Sequence, residues 1–316
     1  MNGFFNKDAM QANLGFVRSQ TTHVESQVYR KKYSGIQYPE LIPVDTSAHP
    51  YATSVTYTSM DGAGEAKWIN GGADDVPMVG IEMRQFQTPV FTAAIGYDWT
   101  FEEVGQAMMP EVNVNLSAEK ASTARRVYEE MVDRIALEGD TAKGFSGLFD
   151  YPGVPAASVA NDGTGSGTAW STKDADKIIR DINDLLSGVY VDTRTTALAD
   201  TLLLPFTIWN TIAAKRIPDT QMTIGQYVEQ NNIYTMRTGQ PLMIRDVRGL
   251  ETAGAGSTPR MVAYRRDPEV LKLHIPMPHQ FLPVEVRGLR YIVPGVFRLG
   301  GLDVRLPQEV RYGDGI

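Results

Sequence analysis

Apolar and polar side chains alternate most regularly between Phe91 and Trp99. Phe91, Ala93, Ile95, Tyr97 and Trp99 share one face and Thr92, Ala94, Gly96 and Asp98 the other, a period of two that predicts one strand. The same period sets Val55 and Tyr57 against Ser54, Thr56 and Thr58, and Asp61-Gly62-Ala63-Gly64 supplies turn residues. A hairpin over Thr53 to Ile69 follows, with Glu65 to Ile69, including Trp68, as its return strand. Such a two-stranded piece is marginal alone in water, so it needs a surface to lie on. Thr100 and Glu103 form a capping box for a short helix that Pro110 stops. Ala121, Ala124, Val127, Tyr128, Met131 and Ile135 then recur every three or four residues, with Ser117 as N-cap and Gly139 as stop. This predicts one long helix whose opposite face carries Arg125, Arg126, Glu129, Glu130, Asp133 and Arg134.

Past a polar loop at Ser158 to Thr168, read as flexible, the period is again helical. Ala175, Ile178, Ile179, Ile182, Leu185 and Leu186 predict a helix capped by Ser171 and ended by Gly188. Thr201 to Leu204 is a short apolar strand, Pro205 opens a helix through Ala214, Thr223 and Gln226 cap another to Gln230, and Leu242 to Val247 returns as strand. Alternating strand and helix predict an α+β lobe with helices flanking a small sheet. From Met261 the chain is strand-rich, and Leu289 to Leu299 is expected to meet Leu302 to Val310 at Gly300-Gly301. The first 50 residues hold Pro39, Pro43 and Pro50 and no period, which predicts an arm lying over a partner surface.

Composition narrows the class. The 316 residues are 42% apolar and 21% charged, which suits a packed core and excludes wholesale disorder. The absence of cysteine excludes disulfides, thiolate metal sites and cysteine nucleophiles, and fits a reducing compartment. No apolar run approaches the length of a membrane span or a signal peptide, so cytoplasmic synthesis without a membrane partner is expected. The net charge of −7 argues against a phosphate-neutralising surface. That charge is unevenly spread. Lys7, Arg18, Arg30, Lys31 and Lys32 outweigh Asp8 and Glu25 at the start, and from Arg260 to Ile316 nine basic residues face six acidic ones. Between Asp61 and Val112 nine acids, among them Asp61, Glu65, Asp74, Asp75 and Glu82, face only Lys67 and Arg84. Basic ends and an acidic middle can attract each other between copies of the chain.

Candidate chemistry is sparse. His274 and His279 are separated by Pro276 and Pro278, which forbid a helix that would pair them on one face as metal ligands. Neither Ser146 nor Ser166 stands in a Gly-x-Ser-x-Gly elbow. Gly163-Thr164-Gly165-Ser166-Gly167 lacks the third glycine, preceding strand and lysine of a phosphate cradle. Asp74-Asp75 and Asp174-x-Asp176 could hold a cation, but the second pair sits in a helical first turn where the dipole favours acids anyway. Trp68, Phe91, Tyr97, Trp99, Trp170 and Trp209 read as core rather than as stacking platforms for bases. Without a catalytic constellation, but with an unsupported arm and hairpin, the chain is expected to finish its core on its neighbours.

Three segments carry a family resemblance: Asp61-Gly62-Ala63-Gly64-Glu65-Ala66-Lys67-Trp68, the helix from Ser117 to Glu138, and Lys143-Gly144-Phe145-Ser146-Gly147-Leu148-Phe149-Asp150-Tyr151-Pro152-Gly153-Val154 just after it. With the closing stretch from Tyr291-Ile292-Val293-Pro294 to Gly315-Ile316, the chain resembles the major capsid proteins of tailed bacteriophages, the Hong Kong 97 fold shared with encapsulin compartments. The resemblance implies an arm over residues 1–52, an extended loop over 53–90, a peripheral domain from 91–150 and 260–316, and an axial domain from 151–259. The extreme C-terminus could belong to either domain. It implies self-assembly of pentamers and hexamers into an icosahedral virion shell, built in the host cytoplasm around double-stranded DNA held without sequence-specific contacts. An acidic wall would let that DNA pack without sticking. Asp61, Gly62, Gly64, Glu65, Lys67, Trp68, Asp74 and Asp75, with Arg30, Lys31 and Lys32 of the arm, are the expected subunit-interface residues. Scaffolding, if any, is expected to be a separate protein, with no amino-terminal cleavage, alongside portal and decoration proteins. No enzyme activity, cofactor or metal is implied, and no cross-link through Lys67 is predicted. Two other readings are an encapsulin-like compartment and a soluble metal-dependent enzyme.

Overall fold

The computed structural model describes residues 35–68, 76–107 and 116–316, which form a mixed α+β structure. The strand predicted over Phe91 to Trp99 is two strands, Phe91–Ala94 and Tyr97–Thr100. They pair antiparallel with Gly295–Leu299 and Arg290–Val293 in one continuous register, Phe91 opposite Leu299 and Tyr97 opposite Val293. The break falls where Gly96 meets Pro294. Proline has no N–H to give the ladder, and a Cβ on Gly96 would strike the Val293 carbonyl. The alternation therefore continues through a kink, and the two halves of one ribbon enter different sheets. Met277–Phe281 adds to the first and Glu285–Arg287 to the second.

The long helix runs from Leu116 to Leu137, and its buried face is turned from the expected one. Ala124, Tyr128, Val132, Ile135 and Ala136 are buried, whereas Val127 is exposed. Tyr128 packs edge-on against Phe297 at 4.7 Å and stacks on His279 at 5.3 Å. Asp133, read as a solvated residue, is buried because it has a task. Its Oδ1 accepts the backbone N–H groups of Gln37 at 2.9 Å and Tyr38 at 2.8 Å, which lie at the start of a short helix, Tyr38–Leu41. The Tyr38 hydroxyl donates to Glu129 at 2.7 Å, and burial together with that carboxylate pushes its ionisation well above the ordinary tyrosine value. Val44–Asp45 then pairs parallel with Leu271–His274. This end of the arm thus rests on its own chain's helix and core, with Tyr38, Leu41 and Ile42 fully enclosed.

After the long helix the chain reverses at Gly139, with φ +84°, and Gly147 passes so close to the Leu137 carbonyl that no Cβ fits. Leu148 and Phe149 then donate to the Ala136 and Leu137 carbonyls and close the last helical turn. From here the chain enters a five-stranded sheet ordered Met243–Asp246, Thr201–Leu204, Arg260–Tyr264, Val310–Asp314 and Ala156–Ser158. Leu202, Leu204, Met261 and Ala263 face a core made with helix Ala175–Asp192 and helices Phe206–Ala214 and Ile224–Gln230. Leu203, Val262, Tyr264, Val310 and Tyr312 face the core of the long helix. Burial on both faces is why residues 202–204 and 261–264 at the centre of the sheet are continuously apolar rather than alternating.

Four local expectations change. Helix Ala175–Asp192 begins after Asp174 and runs past Gly188, because that glycine makes room for the Arg311 guanidinium instead of ending the helix. The loop before it is tethered: Gly163 N–H donates to Gly167 at 2.8 Å, and buried Lys173 bridges Asp181 and the Ala160 carbonyl, each at 2.6 Å. Gly300-Gly301 is a crossing between sheets, where Gly300 N–H donates to His274 at 2.8 Å and Gly301, φ +70°, packs on Phe145. The two-residue turn is Gly288-Leu289 instead, joining Glu285–Arg287 to Arg290–Val293 with Gly288 at φ +61°.

Candidate subunit interface

The hairpin is twice as long as its sequence pattern suggests. Ser54–Ala63 pairs antiparallel with Gly80–Pro89, from Ser54 opposite Pro89 to Ala63 opposite Gly80. Asp61 and Gly62 are therefore strand residues rather than a turn, and Glu65 to Trp68 is not the return strand. The return strand escaped notice because Gln85 and Gln87 interrupt its apolar pattern and both of its faces are exposed. Ten residues at roughly 3.3 Å each make an arm about 33 Å long. Its ends meet where Val90 N–H donates to the Thr53 carbonyl at 2.9 Å.

One face of the hairpin carries Val55, Tyr57, Ser59 and Asp61 opposite Thr88, Phe86, Arg84 and Glu82. Near the base Tyr57 stacks on Phe86 at 5.1 Å, and the Arg305 guanidinium lies 5.0 Å over the Tyr57 ring. Burial and the nearby Asp303 push the Tyr57 hydroxyl up to about 12. Beyond this anchor the hairpin stands clear of the body, across a cleft of about 600 Å³ lined by Ser59, Glu82, Arg84, Thr193, Thr196 and Arg305. Asp61 sits directly opposite Glu82, a like-charge pair that destabilises a lone chain by a few tenths of a kcal/mol up to about 1 kcal/mol, relieved in part by Arg84 at 3.2 Å from Glu82.

The other face pairs Met60 with Met83 and Gly62 with Ile81. Ile81 is 68% exposed and Met83 65%, Met78 and Val79 are more exposed still, and Trp68 is fully open. Trp68, expected in a core, meets no core among the described residues. Covering each such side chain contributes about 1.5–3 kcal/mol, so this face is a binding surface in waiting. Gly64, Glu65 and Lys67 lie exposed beside it. Arg30, Lys31, Lys32, Asp74 and Asp75 lie outside the described residues.

Sequence reasoning missed a second exposed group on the turn at Gly288-Leu289. Val284, Val286, Leu289 and Phe101 there are all open to solvent. Glycine before leucine between two short β-prone runs was the available signal. Nearby, the capping box at Thr100 and Glu103 forms as expected, its bonds 2.9 and 3.2 Å long. The Thr100 N–H and the Lys120 ammonium hold the Glu103 carboxyl below its ordinary range.

The residues weighed for chemistry have structural settings. His274 is buried between Asp45 and Asp303, each 3.7 Å from a ring nitrogen, and His279 bonds the Ile95 carbonyl at 3.0 Å. Asp174 and Asp176 are exposed at a helix start, where Lys177 lies 3.8 Å from Asp174. Among the described residues no three His, Cys, Asp or Glu side chains are grouped to hold a metal, and no helix is long and apolar enough to cross a membrane.

Comparison with solved structures places this geometry. The chain is similar to the capsid of Myoviridae phage XM1, with a TM-score of 0.78, 23% identity, and 94% of this chain and 98% of that one covered. It is similar to the capsid of an empty GTA particle, at TM-score 0.63 and 11% identity over 97% and 98%. A virus-like particle from Pyrococcus furiosus is similar at TM-score 0.51 and 9% identity over 87% and 91%. These likenesses establish the fold. A comparison with curated proteins gives no match. The major capsid protein family matches residues 64–316, from within the long hairpin to the last residue. The chain thus belongs to the major capsid protein family, whose members are structural subunits of phage shells rather than enzymes.

Proposed function

We propose that copies of this chain close into pentamers and hexamers of an icosahedral shell around double-stranded DNA, each copy strapping its neighbour with the hairpin of Ser54–Ala63 and Gly80–Pro89. The observation that carries this reading is a 33 Å arm, roughly, that the described residues anchor only at its base and leave uncovered on an apolar face. Asp61, Gly62, Gly64, Glu65, Lys67 and Trp68 lie along the strap, and Asp61, set against Glu82 while Arg84 already pairs with Glu82, favours a cationic surface on the neighbour. Arg30, Lys31, Lys32, Asp74 and Asp75 complete the proposed subunit contacts. In this reading residues 1–52 are the arm and 53–90 the extended loop. Residues 91–150 with most of 260–316 make the peripheral domain, and 151–259 the axial domain, whose sheet also takes in Arg260–Tyr264 and Val310–Asp314.

The net charge of −7 suits a wall that repels phosphate, so DNA would be held by confinement rather than by specific contacts. Assembly would take place in the host cytoplasm, with separate scaffolding, portal and decoration proteins. Electron micrographs of the purified protein test this directly. Closed shells that contain nuclease-protected DNA when recovered from infected cells support it. Protein that stays monomeric at high concentration, or shells filled with a protein cargo in place of DNA, would overturn it.

A further inference from the structure

The strand Glu285–Arg287 is the last in its sheet. It pairs with Arg290–Val293 on one side, and among the described residues no strand lies on the other. The direction of its free backbone groups follows from bonds along the kinked ribbon. Ile95 N–H donates to Gly295 and Phe101 N–H to Leu289, so the odd residues 289, 291 and 293 turn their backbone groups toward Tyr97–Thr100. The even residues Arg290 and Ile292 then turn theirs toward Arg287 and Glu285. Val286 is left with its N–H and C=O both pointing outward from the edge.

We propose that this edge pairs antiparallel with the same strand of a second copy, across a two-fold axis through Val286. In that register the two Val286 residues exchange both backbone bonds. Glu285 stands opposite the Arg287 of the other copy, at the pair type where side chains approach closest. The sequence Glu-Val-Arg is self-complementary there and in no neighbouring register: a shift either way sets arginine on arginine or glutamate on glutamate. Within one chain Arg287 and Glu285 already meet at 3.2 Å while 74% and 53% exposed, so both are poised to exchange partners. Val284, Val286 and Leu289 add open apolar surface beside the edge. A short charged edge normally discourages pairing with other chains. Here the charges select one two-fold partner and refuse open-ended stacking. The contact is distinct from the hairpin strap, and it rests on the shell reading for its setting but not for its geometry.

The chain has no cysteine, so Val286→Cys introduces a single thiol. Residues in such a pair lie about 5.5 Å apart at Cα, within disulfide range. Under mild oxidation Val286→Cys should run as a covalent dimer from assembled shells, whereas Thr164→Cys, on an exposed loop, should not. Glu285→Arg and Arg287→Glu should each weaken assembly about tenfold. The double variant E285R/R287E, and an equimolar mixture of the two single variants, should restore it. Absence of the Val286→Cys dimer, or single reversals that assemble like the parent, would overturn the contact. If the parent forms no shell, the shell reading fails, and the disulfide assay on concentrated soluble protein still decides the edge pairing by the presence or absence of the dimer.

Discussion

Two β-structures of the molecule are opposites. The five-stranded sheet around Thr201–Leu204 is enclosed on both faces, by three helices on one side and the core of the long helix on the other. The hairpin of Ser54–Ala63 and Gly80–Pro89 is longer than any strand of that sheet and exposed over nearly its whole length. Among the described residues each hairpin strand is paired along one edge only, whereas the three inner strands of the sheet are paired along both. Burial separates the two structures further. The sheet is finished by its own chain, while the hairpin has apolar side chains that the described residues leave open.

The sharpest way to break the comparison is to exchange the consequences of damage. Val132→Asp puts an unpaired charge at a fully buried position of the long helix, and loss of the fold is expected, read as loss of the circular dichroism of the native chain. Met83→Asp, on the open face of the hairpin, should leave that spectrum unchanged and abolish shell assembly in light scattering. Removal of residues 54–89 with a short glycine linker should act likewise, because Thr53 and Val90 are already hydrogen-bonded neighbours. A deleted chain that still assembles would show that the hairpin is no strap.

Smaller effects sharpen the inner half of the contrast. Asp133→Ala leaves the Gln37 and Tyr38 N–H groups without their acceptor. A loss of about 1–3 kcal/mol is expected, seen as a lower Tm, with Asp133→Asn falling between. An unchanged Tm would mean that the arm helix contributes nothing to the body. The smallest effect concerns the tethered loop. A hydrogen bond from Arg180 holds the Asp162 carboxyl at about 2, below its ordinary value of 3.8. A carboxyl depressed in the fold stabilises above its ordinary value, and this contribution fades as the pH falls through about 4 and is gone below about 2. Proteolysis of the Ala160–Gly167 loop should therefore quicken in that acid window, and Asp162→Asn should remove the pH dependence.

The inner elements were legible in sequence because one chain decides them. Thr223 with Gln226 forms both capping-box bonds, Pro205 opens its helix, and Thr201–Leu204 is the buried strand its apolar run implies. What was hidden depends on partners distant in sequence. Gly96 marks a kink only because Pro294 lies across from it, and Gly188 continues a helix only because Arg311 lies against it. Asp133 resembles any surface acid until the arm reaches it from ninety-six residues away. At the candidate interface, Asp61 and Gly62 are exposed, but they lie in a strand rather than in the turn assigned to them, and Trp68, read as core, is open to solvent. The true return strand, Gly80–Pro89, has polar residues where a strand resting on its own core would have apolar ones.

Hydrogen exchange of the backbone amides in residues 54–89, compared between isolated subunits and assembled shells, bears most directly on whether the hairpin is completed by a neighbour. Rapid exchange in the subunit and strong protection in the shell, with the amides of Thr201–Leu204 protected in both, is the expected result. Equal protection of the hairpin in the two states would mean that its open face needs no second copy, and would contradict the strap.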